Sequence, residues 1–196
     1  MNGYRWALPV TGEVGEPSRF CGDPNVGFIV LAAVIIRDAT QRDWPAIYPF
    51  FTEIVAVGRT YAYPEGLSSD EARAYWMTDE PSRTVVAAEG QAIMGTATMG
   101  PNRPGRGSHV ATASFMVHPR HQGRGVGRAL GTHALDWGRQ SGYRSMQFNA
   151  VVETNTAAVH LWRSLGFEIL ATVPEAFDHA EQGLVGLHLM YQRFDR

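Results

Sequence analysis

Apolar positions from about Ala33 onward fall into distinct periods. The stretch "AVIIRDAT" reads as a strand. It closes an apolar run, Val26 to Ile36, that reads as a buried strand. That run is too short to span a bilayer, and it starts too late and lacks the basic lead of a signal peptide. Trp44, Ile47, Tyr48, Phe51, Ile54 and Val55 then recur at helical spacing, which predicts an amphipathic helix over 41–57 started by Thr40 or Asp43. A Gly/Pro/Ser loop carrying Tyr61 and Tyr63 follows. Ser69 is placed to cap a second helix over 70–78, with Ala72, Tyr75 and Trp76 on one side.

The pattern then turns to strands. "RTVVAAE" and "AIMGTATMG" flank a Gly-Gln turn and predict a hairpin, and "HVATASFMV" at 109–117 adds a third strand. A helix over 125–140 buries Val126, Ala129, Leu130, His133, Ala134 and Trp137. "SMQFNAV" is a strand. "TNTAAVHLWRSLGF" is a short helix with Asn155 at its start and Gly166 past its end. "FEILATV" and "LVGLHLMYQRF" close the chain as two antiparallel strands, joined by "EAFDHAEQGLVG". The order is β, α, α, βββ, α, β, α, ββ, in one domain from residue 33 to 196. Residues 1–32 read as an irregular, Gly/Pro-rich extension and lead-in to the first strand.

The chemistry sits between the third hairpin-side strand and the helix over 125–140, in "HPRHQGRGVGRALG". A P-loop needs a lysine after its last glycine, and this chain has no lysine. The dinucleotide pattern GxGxxG fails by register as well. Gln122, Gly123, Arg124, Gly125, Val126 and Gly127 remain as a Q-x-x-G-x-G run closing onto a helix start, followed by Arg128. Open backbone N–H groups there, with the helix dipole behind them, suit a pyrophosphate. An ordinary tight strand–helix connection is the competing reading.

Composition narrows the partners. The chain has 196 residues, 44% hydrophobic and 18% charged, which is globular. A net charge of −2 gives no basic face for nucleic acid, so the arginines of the Gly-rich run form a local cluster. The one cysteine, Cys21, excludes an internal disulfide and a cysteine-based metal site, and fits a cytoplasmic protein with no membrane partner.

"QGRGVG", an amphipathic helix, and then Asn155, Ala158, Leu161, Trp162, Gly166 and Phe167 together resemble the GNAT superfamily of acyl-CoA-dependent N-acyltransferases. The resemblance spans about residues 33–194. It implies an α/β (α+β) fold: a mixed, mostly antiparallel, twisted sheet of six to seven strands with about four helices. The sheet would be splayed between the strand ending at Val117 and "SMQFNAV", with the pantetheine arm of acetyl-CoA in the opening. Backbone groups of Phe115, Met116 and Val117 would pair with that arm, Gln122 to Arg128 would hold the pyrophosphate, and Asn155 would touch the arm near the thioester. "FNAVVETNTAAVHLWRSLGF" with "PNRPGRGSHVATASFMV" further resembles the branch of proline-analogue (azetidine-2-carboxylate) N-acetyltransferases, in which Asn149 and Asn155 match a pair of important asparagines. Thr112 departs from that branch, which places an asparagine there.

The resemblance therefore implies direct attack of a small, amino-acid-like amine on acetyl-CoA, with no metal and, by family habit, a homodimer. A backbone N–H at the Val117 end of its strand would stabilise the developing negative oxygen. Asn149 would orient the amine or satisfy the strand end, and Asn155 would contact the cofactor or cap its helix. Trp162 stands where many relatives place an acidic tyrosine. An indole N–H cannot act as an acid at neutral pH, so another group protonates the thiolate or it leaves unaided, and Trp162 itself lies against the cofactor or packs its helix. Tyr61, Tyr63, Thr112 and Asn149 are the candidate acceptor contacts, with Phe177, Asp178 and His179 placed to overhang the pocket. A non-catalytic acyl-CoA-binding module and a protein or peptide N-acetyltransferase are the alternatives.

Overall fold

The computed structural model describes residues 34–195. The elements run β1 (Ile35–Asp38), α1 (Trp44–Ala56), α2 (Ser69–Trp76), β2 (Arg83–Glu89), β3 (Ala92–Pro101), β4 (Val110–Val117), α3 (Val126–Gln140), β5 (Ser145–Val152), α4 (Thr156–Ser164), β6 (Glu168–His179) and β7 (Gly183–Arg193). They form one seven-stranded sheet in the order β1-β2-β3-β4-β5-β7-β6. Only β4 and β5 are parallel. The predicted strand and helix inventory is therefore observed.

Helices pack on both faces of the sheet. On one face α1 and α2 bring Trp44, Ile47, Phe50, Phe51 and Trp76 onto Val86, Ala88 and Met116. On the other, α3 and α4 bring Val126, Leu130, Ala134, Leu135 and Trp162 onto Val85, Met94, Ala97 and Phe148. Helices α3 and α4 approach closely at Gly131, where a Cβ would stand 2.8 Å from both Trp162 and Leu165 side chains.

Three expectations change. The apolar run ending at Ile36 does not bury its described end: Ile35 is 53% exposed, because among the described residues β1 is an edge strand paired only with β2. The rest of that run, and the extension 1–32, lie outside the described residues. Ser68, not Ser69, caps α2, in a reciprocal capping box with Glu71, and Tyr75 stays exposed. Finally, much of "EAFDHAEQGLVG" is strand and not linker, since β6 runs on to His179 before a tight turn.

Asp43 precedes α1 but does not cap it. Its carboxylate accepts from Arg37 at 2.8 and 2.7 Å and from Thr40 N–H and Oγ1 at 2.7 and 2.9 Å. The Arg37 hydrogen bonds, helped by those from Thr40 and opposed by burial, hold the Asp43 carboxyl down at about 2. The folded value lies below the unfolded one of about 3.9. The stabilisation is therefore complete above pH 4 and fades as pH falls toward 2. Asp43→Asn is expected to cost about 1–2 kcal/mol at neutral pH, tempered by the solvent exposure of Arg37. It should also flatten the loss of stability between pH 4 and 2 in urea titrations. An unaltered acid limb would refute this assignment.

Candidate active site

The parallel pairing of β4 with β5 is brief. Val110 faces Ser145 and Ala111 faces Met146, and no further pairs follow. Beyond Ala111 the strands part, while β5 stays zipped to β7 except at an irregularity between Phe148 and Val151. The sheet is thus splayed along the second half of β4, as the resemblance implied.

Strand alternation decides which β4 backbone groups look into this gap. Val110 O accepts from Asn102 N–H and His118 N–H donates to Met94 O, so even-numbered residues turn to β3. Phe115 and Val117 therefore present N–H and C=O to the gap. Met116 does not. Its backbone is turned toward β3, opposite Thr96, and its side chain is 1% exposed. The expected backbone contact from Met116 is corrected on that ground. Thr112 likewise turns its backbone to β3, opposite Gly100.

At the end of β4 a single turn, Pro119–His121, leads into the Gly-rich run. His118 holds it by accepting Arg120 N–H at Nδ1, 3.1 Å away. Burial, with His121 and Arg120 nearby, lowers the His118 pKa and favours the neutral ring this bond needs. Gly123 and Gly125 adopt φ of 74° and 79°, and Gly125 is the N-cap of α3. The first helical bond of α3 runs from Ala129 N–H to Gly125 O at 3.0 Å. The N–H groups of Val126, Gly127 and Arg128 ahead of it have no helical acceptor. A Cβ at Gly123 or Gly125 would meet nothing within 4 Å, so the turn is open on its outer side. Arg124 is held at its rim by Glu89, 3.2 Å away, and Arg128 by Ser164 Oγ, 2.9 Å away. An open amide array with two tethered guanidiniums suits a pyrophosphate, and the gap beside β4 suits the amide-bearing arm attached to it.

Asn155 caps α4 by accepting Ala158 N–H at Oδ1, 3.2 Å, and also lines a cavity of about 230 Å³. Arg59, Thr60, Thr154, His179, Glu181 and Gln182 complete the lining. The β6–β7 turn closes it against the α1–α2 loop through the Arg59–Glu181 ion pair and through Ala180 N–H donating to Gly58 O at 3.0 Å. Thr154 Oγ1 is buried without a hydrogen-bond partner. His179 Nδ1 accepts Glu181 N–H at 3.2 Å. With Nδ1 engaged as an acceptor, the other ring nitrogen, Nε2, is the donor.

Other candidates are distributed differently. Asn149 lies exposed at the β5 irregularity, accepts from Gln147 Nε2 at 2.8 Å and donates to Asn102 Oδ1 at 2.7 Å. Trp162 is 7% exposed, packed with Phe115, Phe148 and Phe167, which matches the packing reading. Tyr61 and Tyr63 stack on each other, 5.3 Å between centroids, and burial raises both phenol pKa values. Of Phe177, Asp178 and His179, only His179 lines the cavity, because Phe177 is buried with Val152 and Val185 and Asp178 points outward. Arg59, Thr60, Thr154, Glu181 and Gln182 carry no signal in the sequence beyond their place in loops and turns.

Comparison with known proteins agrees with this geometry. The model of the acetyltransferase (GNAT) family matches residues 38–167. A GCN5-related N-acetyltransferase from Kribbella flavida is 55% identical, with TM-score 0.81 over 83% of this chain and 98% of that one. The yncA protein of Salmonella typhimurium, solved with its cofactor acetyl-CoA, is 27% identical, with TM-score 0.73 over 84% and 95%. The L-methionine sulfoximine/L-methionine sulfone acetyltransferase of Salmonella typhimurium is 33% identical, and the L-amino acid N-acyltransferase MnaT of Escherichia coli 29%, each over 71% of this chain and 83% of its own length. The N-acetyltransferase aca1 of Schizosaccharomyces pombe is 34% identical over 43% of this chain and 40% of its own. The chain belongs to the GNAT acetyltransferase family and is an acetyl-CoA-dependent N-acetyltransferase. Among the described residues no helix is long and apolar enough to cross a membrane.

Proposed function

We propose that this chain acetylates the amine of a small, amino-acid-like acceptor received in the cavity beside Asn155. The carrying observation is the Arg59–Glu181 pair on the cavity wall. An amino acid is a zwitterion, and its carboxylate and ammonium need one cation and one anion at short separation. Arg59 and Glu181 offer both, each more than half exposed on its side chain and free to exchange partners. The unsatisfied Thr154 hydroxyl adds a neutral partner. Related proteins named for amino acids and methionine derivatives support the same class. The modest volume of the cavity, about 230 Å³, suits a small acceptor.

Acetyl-CoA supplies an acyl group activated as a thioester. The protein's part is to bind and orient. Phe115 and Val117 offer backbone partners along the gap, the α3 amides hold the diphosphate, and Asn155 lines the cavity that receives the acceptor. Holding the amine beside the acyl carbon supplies much of the rate. The amine attacks as its free base, so the bound ammonium first gives a proton to bulk water; the C–N bond forms as the C–S bond breaks, and the nitrogen then sheds its second proton to water. No phenol stands at Trp162, and a thiol pKa of about 8.5 lets coenzyme A leave as thiolate.

The test is thiol release with free amino acids, methionine sulfone, a cyclic secondary amino acid of the proline-analogue type, simple alkylamines and a short peptide. Turnover of amino acids, lost in Arg59→Ala through KM more than through kcat, is expected. Turnover confined to alkylamines or peptide would remove the amino-acid reading and leave family membership intact.

A further inference from the structure

Where β5 leaves β4, the gap-facing backbone of Phe115 is not left open. The Tyr61 hydroxyl donates to Phe115 O at 2.6 Å and accepts Phe115 N–H at 3.0 Å. One side-chain oxygen thus satisfies both groups that a neighbouring strand would have paired. The tyrosine is set there from the α1–α2 loop, with its ring against Tyr63 and edge-on to Trp76. Burial keeps the phenol neutral, so it donates and accepts at once. Val117, the next gap-facing residue toward α3, has no such occupant among the described side-chain bonds.

This matters because an arm running from the α3 amides along the gap meets Val117 first and Phe115 next. The amide at Phe115 is then the donor nearest the reacting end of that arm, and Tyr61 already holds it. We propose that Tyr61 is a placeholder for the thioester oxygen: its hydroxyl keeps the Phe115 amide paired in the empty enzyme and yields it when acetyl-CoA enters. The inference rests on the reading that the β4–β5 gap holds the acyl arm. Its consequence is a cost borne by the acylated cofactor, since coenzyme A without an acyl group keeps its pantetheine amides but has no thioester carbonyl to take Phe115 N–H. Tyr61 is a positioning residue in this account. It takes no proton from the reaction.

The experiment compares wild type with Tyr61→Phe, which keeps the ring and its stacking and removes the hydroxyl. Calorimetric titration with acetyl-CoA and with coenzyme A is the main readout. The variant should bind acetyl-CoA about threefold to tenfold more tightly, the worth of a hydrogen bond no longer displaced, and bind coenzyme A as wild type does. Hydrogen exchange of the Phe115 amide in the empty protein should quicken in the variant. Equal affinity changes for both ligands would make Tyr61 a structural prop and overturn the proposal. Unchanged affinities with a fall in kcat would make it a chemical participant, and unchanged acetyl-CoA binding with new acceptance of longer acyl groups would make it a wall; each overturns it. Wild type failing to bind acetyl-CoA at all would overturn the underlying placement of the arm as well, so the two failures are distinct.

Discussion

Gly125→Val is expected to weaken acetyl-CoA binding about a hundredfold, while Gly127→Ala in the same motif has a far smaller effect. The motif treats these glycines alike, but the fold does not. Gly125 sits at φ 79° as the N-cap of α3, and a β-branched residue there costs about 1–2 kcal/mol or forces the turn into another conformation. Either way the amides of Val126, Gly127 and Arg128 lose their common direction. Charged hydrogen bonds of this kind are worth about 1.5–3 kcal/mol each, so loss of one or two accounts for the factor. No protein atom lies within 4 Å of a Cβ at Gly125, so crowding inside the fold is not the cause. At Gly127 the φ is not left-handed, and a Cβ would meet Leu161 at 3.4 Å and Val117 at 3.6 Å, ordinary contact distances. Titration calorimetry, with circular dichroism to confirm folding, separates the two. Wild-type affinity in Gly125→Val would mean that the diphosphate binds elsewhere.

The contrast shows what the sequence carries and what it does not. Helices α1 and α3 and the β2–β3 hairpin were legible because side-chain periodicity reports which face is buried, and burial is what the apolar pattern encodes. The Gly-rich run was legible because its backbone demands are local. The backbone direction at Met116 is not legible in the sequence, because the direction of a backbone N–H depends on register with β3, and side-chain alternation does not say which neighbour lies on which side. The far end of β6 is hidden for a related reason. Pro174 and the left-handed Glu175, at φ 53°, look like a loop, yet they sit where the β6–β7 register shifts between Val173 and Phe177. An edge strand tolerates such a break. The cavity was the least legible part. Arg59 and Glu181 are 122 positions apart, and they meet only because the β6–β7 turn docks on the loop after α1. The Tyr61 hydroxyl likewise finds Phe115 across 54 positions. A loop tyrosine was visible in the sequence, but its partner was not.

Trp162→Ala is expected to destabilise the protein by about 3–5 kcal/mol, a large part of a typical domain stability of about 5–15 kcal/mol. The indole is the centre of an aromatic cluster, with ring centroids 4.7 Å from Phe115, 5.0 Å from Phe148 and 6.3 Å from Phe167. It also packs on the face of α3 left bare by Gly131. Removing it opens a void among buried rings, and the void borders Phe115, whose backbone faces the gap. Acetyl-CoA affinity should fall with stability, because β4 loses the support that fixes its edge. Trp162→Phe separates packing from chemistry. It keeps an aromatic ring and drops the N–H, so a packing role predicts a modest loss of thermal stability with kcat preserved at a temperature where the variant is folded. A fall in kcat at full folding would instead show that the indole N–H takes part in the reaction. The wild-type geometry argues for the first outcome: Trp162 lies among rings, its exposure is 7%, and the cavity that holds Asn155, His179 and Glu181 is lined without it.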